Sequence, residues 1–505
     1  MRKVMFFVTL SIAIIFTACN KERIVKINPA DISVITDKAE LQKRISTIEP
    51  GTINSFKAVN ALPITFIGKI EPIVNSIIYH WIDNTTTPAT RLNTLLNVNP
   101  GGSYVAGIPS FTDLTGEEFS ITGAGLFQDG ADRYAYFTSH IRGATFGGEV
   151  FVVKYDDDNT FGEVGPILEA EVSVYDHAAD YNDLTIENVA IPKLWVSGDN
   201  NARGAVSRYA TLADMATLWN NGNGPDTHQG ISSDFSMTEF PLPVFGPSGN
   251  SSTLFGNQFW FVAGGTSAGG LVVMDKTDLL NPTLTSRTDV ANAKHFDIGE
   301  FSNGVGNYGS FLWGDNNFAN DNANLRIFYG LPNIAYKDFA LPADVTLYGK
   351  NAIDIDADGT LSTINQSLFL AMGADGVLKV DVDAVYSAGA ASPAVTNLFV
   401  GVPGDDGIYT DDVVQYNDHA VIGASGLANG LVVVGNYVYV AWGAAGLVIL
   451  NKSDLSFEAQ YNDNSVIAGS CNYVSVDNNN TPTNYTDDIL WVGFGTGGIA
   501  MFKTI

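Results

Sequence analysis

Between Tyr437 and Leu455 the chain reads YVYVAWGAAGLVILNKSDL: a run of aromatic and β-branched residues, a Gly/Ala turn, a second apolar run, and a polar end. Short apolar runs of this composition, split by glycine, predict a β-hairpin rather than a helix. The same order recurs in LFLAMGADGVLKVDVD (368–383), FWFVAGGTSAGGLVVMDKTDL (259–279) and ILWVGFGTGGIAMFK (489–503). Looser copies are RYAYFTSHIRGATFGGEVFVVKYDD (133–157), LWVSGDNNARGAVSRYATL (194–212) and FLWGDNNFANDNANLRIFYG (311–330).

Aligned on the residue before the second run, the copies fall at Gly148, Gly204, Gly270, Asn324, Gly376, Gly446 and Gly498, at intervals of 52 to 70 residues. Repeats of this length built from short strands predict propeller blades. Another apolar run precedes each hairpin, as in NVAI (188–191), NAIDID (351–356), NGLVVV (429–434) and CNYVSV (471–476). That run is strand A, innermost; the hairpin is B and C; a run such as FEAQY (457–461) is the outer strand D. The expected fold is all-β: a seven-bladed β-propeller of four-stranded blades. The chain stops after strand C of the last copy, and LPITFIGKIE (62–71) reads as the strand that completes that blade and closes the ring.

Before the repeats the pattern changes. Arg2 and Lys3 precede the apolar run VMFFVTLSIAIIF, too short to span a bilayer comfortably and of secretory-signal type. Phe16-Thr17-Ala18-Cys19 resembles a bacterial lipobox, although Phe16 stands where Leu is usual. The resemblance implies cleavage before Cys19 and lipidation of its thiol and new amine, enough acyl chains for stable anchoring. The other reading is an ordinary signal peptide with a chance cysteine. Asn20-Lys21-Glu22 resembles the surface-export signal of Bacteroidetes lipoproteins. The expected organisation is a signal peptide (1–18), a lipidated cysteine and tether (19–58) with a short helix over DKAELQKRISTI (37–48), and the propeller (59–505).

The units GLVVMDKTDL and GLVILNKSDL, preceded by FWFVAGG and YVYVAWG, resemble the LVIVD-repeat propellers of bacterial secreted and surface lipoproteins. The resemblance covers roughly residues 60–505 and is strongest in the third, sixth and seventh copies. It implies a propeller and a cell-envelope location, lipid-anchored at the outer membrane and surface-exposed if the export signal is read. It implies no activity.

Acids outnumber bases 54 to 26, a net charge of −28 that excludes a phosphate-tracking nucleic-acid binder. Two cysteines make no disulfide framework. The repeat sets Cys471 opposite Ala428, which reads as a small buried residue rather than a nucleophile. HExxH does not occur and the six histidines lack metal spacing, so no catalytic residue is nominated.

Candidate sites follow from blade geometry, in which the B–C hairpins and D–A connections share one end of the ring. The longer B–C loops of the first, second and fourth copies (139–148, 198–204, 314–324) carry His140, Arg142, Asp199, Arg203, Asp315, Phe318 and Asp321. They read either as a rim for a glycan or anionic peptide, or as solvated turns. The D–A connections QYNDHAVIGASGLAN (415–429), QYNDNSVIAGSCN (460–472) and DYNDLTIEN (180–188) set Asp183, Asp418 and Asp463 at the channel mouth. These aspartates either draw a cation or amine, or cap turns by accepting backbone N–H bonds. In DIDADGTLSTIN, Asp354, Asp356, Asp358 and Thr360 have the spacing of Ca²⁺ ligands with Gly359 at the bend, but Asn365 replaces the bidentate Glu. The competing reading is a hairpin flanked by alternating Asp. The expectation is a binding or protein-interaction module with a glycan or protein ligand and no catalysis. A propeller hydrolase or lyase with a metal near the channel, and a structural subunit of an envelope assembly, stand as alternatives.

Overall fold

The computed structural model describes residues 32–35, 45–46, 56–58, 64–70, 119–129, 132–141, 148–155, 168–176, 180–187, 193–200, 203–209, 248–264, 270–275, 277, 283–300, 307–314, 321–329, 335–341, 346–347, 352–355, 367–381, 414–416, 426–462, 469–478, 481 and 484–505, with side chains at a subset. Among these the protein is all-β, with one 3-10 turn at Gly495–Gly497 and no α-helix, hence no helix long and apolar enough to cross a membrane.

The described strands form seven antiparallel sheets of three to five strands. Each is a meander in chain order, and its strands are named A to D here. The first sheet runs Phe119–Asp129, Asp132–Ile141, Gly148–Tyr155 and Leu168–Asp176. The second has Asp180–Glu187, Lys193–Asn200 and Arg203–Tyr209. The third has Ser248–Phe255, Gln258–Gly264, Gly270–Asp275 and Thr283–Asp289. The fourth has Ala291–Glu300, Asn307–Gly314, Asp321–Tyr329 and Ala335–Ala340. The fifth has Ala352–Ile355, Ser367–Ala371, Val377–Asp381 and Val414–Tyr416. The sixth has Gly430–Val434, Tyr437–Ala441, Leu447–Asn451 and Phe457–Tyr461. The seventh has Tyr473–Asp477, Ile489–Gly493 and Ile499–Thr504, and Ile64–Ile70 pairs with its last strand.

The motif explains the local geometry. In the B–C turns of the fifth, sixth and seventh sheets the aligned glycines Gly376, Gly446 and Gly498 have φ of 78°, 81° and 94°. Each turn is closed by a bond to that glycine's carbonyl: from the N–H of Met372 (2.8 Å), Trp442 (2.8 Å) and Phe494 (2.9 Å). Only glycine takes such φ values without strain. A methyl group on Gly446 would overlap the Tyr461 carbonyl on strand D. The polar NKSDL end is a pair of side-chain-capped turns. Asn451 Oδ1 accepts from Ser453 N–H (2.9 Å) and Oγ–H (2.7 Å), and Asp454 Oδ1 accepts from Ser456 N–H (3.0 Å) and Oγ–H (2.7 Å). In the related DKTDL, Asp275 Oδ1 accepts from Thr277 N–H at 2.7 Å. These hydrogen bonds hold the Asp275 and Asp454 carboxyls below the usual carboxylate range.

Alternate residues of each strand face neighbouring sheets, and the core lies between them. Tyr439, Leu447, Ile449 and Tyr461 of the sixth sheet meet Leu490, Val492 and Phe502 of the seventh. Trp442, Val440 and Val448 meet Phe369, Ala371 and Val377 of the fifth. Trp260, Val262, Leu271 and Val273 of the third meet Phe296, Phe311 and Phe328 of the fourth, with Trp260 and Phe296 stacked at 4.8 Å. Each Val, Leu, Ile or Phe among them contributes about 1.5–3 kcal/mol by leaving water. The seventh sheet also packs on the first: Tyr473 OH donates to Ala124 O at 3.1 Å, and Phe137 lies 5.6 Å from Trp491.

Several expectations are corrected. Within the segment read as a tether, Ile32–Ile35 pairs with strand D of the first sheet, Ile45–Ser46 with Ile64–Ile70, and Phe56–Ala58 with strand D of the sixth. Of the segment expected to be helical, 37–48, Ile45 and Ser46 form an extended edge strand, and the remainder lies outside the described residues. In the second sheet, strand A is Asp180–Glu187 rather than NVAI, because YNDLTIE alternates as a strand does and registers against Lys193–Asn200. The 198–204 segment is a paired hairpin, with Asn200 opposite Arg203, not a long loop. Strand C of the fourth sheet begins at Asp321, ahead of the aligned Asn324.

Candidate functional site

The hairpin ends of the first, second and fourth sheets carry the described rim positions. His140 pairs with Gly148 and Ser120 next to the end of strand B. Asp199 pairs with Gly204 and Asp180, and Arg203 opens strand C. Asp321 opens strand C of its sheet, opposite Leu347. Because strands A, B and C of every sheet form an antiparallel meander, all four positions belong to the B–C end, as the repeat predicts. Arg142, Asp315 and Phe318 lie outside the described residues, as do Asp418 and Asp463, and Cys19. Of the calcium string, Asp354 is in strand A of the fifth sheet opposite Phe369, while Asp356, Asp358 and Thr360 are outside the described residues.

Asp183 is described in full, and it is in a strand rather than in a D–A loop. It is buried, opposite Ser197, where strand A of the second sheet approaches strand A of the first at Gly123. A methyl group at Gly123 would stand 2.8 Å from Thr138 Oγ1, 3.1 Å from Asp183 Cα and 3.4 Å from Asp183 Oδ1. Thr122 Oγ1 donates to Thr138 Oγ1 at 3.2 Å. A carboxylate and two hydroxyls thus share a buried polar spot between the first two sheets. The register of strand A slips at Thr122 and again at Asn182 in the second sheet, where a bulge re-aims side chains. Strands A of the third and fourth sheets slip too, between Gly249 and Ser251 and between Ala291 and His295.

At the same end of the later sheets, backbone bridges join one sheet to the next. Gly373 bridges to Ala428 and Gly443 to Cys471, each linking a B–C turn to the residues before the next strand A. Asn429 Nδ2 donates to Asn472 Oδ1 at 3.1 Å, joining the starts of two neighbouring A strands, and Ser470 Oγ donates to the same oxygen at 2.8 Å. Cys471 is buried in this latch, in the place Ala428 takes one sheet earlier, and burial pushes its thiol up. Among the described residues, then, bulges mark strand A of sheets one to four, and backbone bridges tie the B–C turns of sheets five and six to the sheet that follows.

Two groupings escaped the sequence. Asp488 is buried just before strand B of the seventh sheet, and its Oδ1 has no hydrogen-bond partner. Burial, with Asp487 and Asp477 nearby, raises its carboxyl to about 7. Its carbonyl receives the N–H (3.0 Å) and Oγ–H (3.2 Å) of Thr504. In the fourth sheet, Arg326 binds Asp338 through Nε–Oδ1 at 2.6 Å and Nη2–Oδ2 at 2.8 Å, beneath the ring of Tyr336. No local motif marks either; both arise from cross-strand and loop packing. Among the described residues no group of three or more His, Cys, Asp or Glu is placed to hold a metal ion.

Residues 425–463 match the family described as LVIVD repeat. A search of curated proteins finds no match to the chain. Among solved structures, the chain is similar to the crystal structure of the computationally designed Ika8 protein, at 7% identity over 77% of this chain and 100% of that one, with a TM-score of 0.36. At that score the likeness carries no argument.

Proposed function

We propose that the chain is a seven-bladed β-propeller lipoprotein of a bacterial cell envelope, of the Bacteroidetes LVIVD-repeat type, and that it captures a glycan or protein ligand without catalysing a reaction. The seven antiparallel meanders support the propeller, and the LVIVD match over 425–463 agrees with it. Closure is supported by the pairing of Ile64–Ile70 with Ile499–Thr504 and by the Tyr473–Ala124 bond from the seventh sheet to the first. The lipobox-like FTAC and the following NKE support anchoring through Cys19 at the outer membrane with the propeller outward.

The observation that carries the binding reading is the division of the B–C end. Backbone bridges tie the turns of sheets five and six to the next sheet, while His140, Asp199, Arg203 and Asp321 each stand, by register, at the hairpin end of a sheet whose strand A is bulged. Rigid scaffolds carrying polar, variable ends are where binding residues concentrate.

Membrane-impermeant cross-linking on intact cells, followed by mass spectrometry of the joined species, tests this. Cross-links to an envelope partner or glycan, weakened by Arg142→Ala with Arg203→Ala, support surface capture. Labelling only after the outer membrane is opened moves the protein to the periplasm and removes the export reading. Binding unchanged in the double variant removes those hairpins from the site.

A further inference from the structure

On the flank of the molecule, away from the hairpin ends, the facing sides of the third and fourth sheets change character toward their outer strands. Inward they are apolar, with Trp260, Val273, Phe296 and Phe328 in contact. Outward, register carries the same face of the fourth sheet from Phe328 to Tyr336 and from Arg326 to Asp338. It carries the facing side of the third from Val273 to Ser286 and from Leu271 to Thr288. Ser286 and Thr288 are half-buried, Tyr336 is 51% exposed, and the Asp338 side chain is 41% exposed.

The exposed ring is fixed in place. The Arg326 guanidinium carbon lies 3.8 Å from the Tyr336 centroid, and Phe328 meets the ring edge-on at 5.8 Å and 63°. Arg326 is itself fastened by both oxygens of Asp338. A ring held from beneath loses little freedom when something stacks on it.

We propose that this flank is a glycan-binding site that takes a neutral sugar ring. Tyr336 is the platform for the sugar's C–H face. Asp338, whose two oxygens keep lone pairs beyond the Arg326 bonds, accepts sugar hydroxyls. Ser286 and Thr288, on the facing side of the third sheet by register, add donors and acceptors. The ligand is neutral because Arg326 is already neutralised by Asp338 and the chain carries a net charge of −28, which repels acidic glycans. A protein partner fits less well, since protein interfaces centre on a broad buried apolar patch and, among the described residues of this flank, Tyr336 is the one exposed ring and stands beside polar groups. The site is independent of the hairpin-end reading.

Native electrophoresis of the full chain through gels cast with pullulan, mannan, laminarin or xyloglucan tests it. The expected result is retardation in at least one gel, weakened at least tenfold by Tyr336→Ala, retained by Tyr336→Trp, and untouched by Arg203→Ala. An unchanged urea midpoint for Tyr336→Trp guards against a folding artefact. No retardation in any gel, or equal retardation of wild type and Tyr336→Ala, overturns the proposal. Loss of an envelope-protein cross-link in Tyr336→Ala with polysaccharide binding unchanged also overturns it, and makes the flank a protein-docking surface.

Discussion

Gly443 and Cys471 exchange both of their backbone hydrogen bonds across the junction between the sixth and seventh sheets, N–H to O at 2.8 Å in one direction and 2.9 Å in the other. The pair works because one partner is glycine at φ 48° and the other is small and fully buried. The Cys471 thiol is therefore expected to ignore a disulfide reagent at pH 8 until urea unfolds the chain. Cys471→Ala, which copies Ala428 one sheet earlier, should cost about 1 kcal/mol, whereas Cys471→Leu should cost several times more by overpacking. Urea titrations of the two variants check this.

Two glycines separate backbone strain from collision. Gly256 has φ 56° with nothing within 4 Å of an added methyl group, while Gly446 has φ 81° and would drive that methyl into the Tyr461 carbonyl. Gly256→Ala should destabilise by about 1 kcal/mol and Gly446→Ala by about 3 kcal/mol or more. Equal shifts in the unfolding midpoint would mean that strand D yields at no cost.

Asp488 sets a pH dependence whose sign follows from its environment. Its folded carboxyl titrates near 7, against a usual value of 3.8, because burial and then Asp487 and Asp477 disfavour the charge. Between those values the folded state binds a proton that the unfolded state has released, so stability falls as pH rises from about 4 to about 7 and stays lower above. Asp488→Asn should flatten that part of the profile and raise the urea midpoint at pH 8. A profile identical to wild type would show that Asp488 is charged in the folded protein at neutral pH.

The proposed lipidation of Cys19 has a direct test. With native Cys19 the chain is expected to take up labelled palmitate and partition into detergent, and Cys19→Ser should abolish both. Label incorporated by the serine variant would leave the lipobox reading without support.

The sixth and seventh sheets were legible in the sequence almost residue by residue. Their strands are short, apolar and ended by glycines whose φ values demand glycine, so pattern and turn chemistry agree. The second sheet was misread because NVAI is more apolar than the polar strand Asp180–Glu187, whose place is fixed by its partners rather than by its own composition. The short N-terminal strands were missed for a related reason. Ile45–Ser46 lies in a stretch with helix-forming residues, and only pairing with Lys69 and Ile70 makes it extended. At the candidate sites, the hairpin-end positions follow from repeat alignment. The burial of Asp183 against Gly123, and the stacking of Tyr336 on Arg326, depend on sheets meeting face to face, which no local pattern encodes.

The pairing of Ile64–Ile70 with Ile499–Thr504 joins segments from near the two ends of the chain. Until residues 499–504 have been made, Ile64–Ile70 has the short strand Ile45–Ser46 on one side and an open edge on the other. That pairing is a loop closure of very large sequence separation, a slow step by topology. During that interval the apolar edge of strand Ile499–Thr504 and its waiting complement are open to the wrong neighbours. A chain cut short by a few residues at its C-terminus would never leave that state, and truncation there should act on yield and aggregation before it acts on binding.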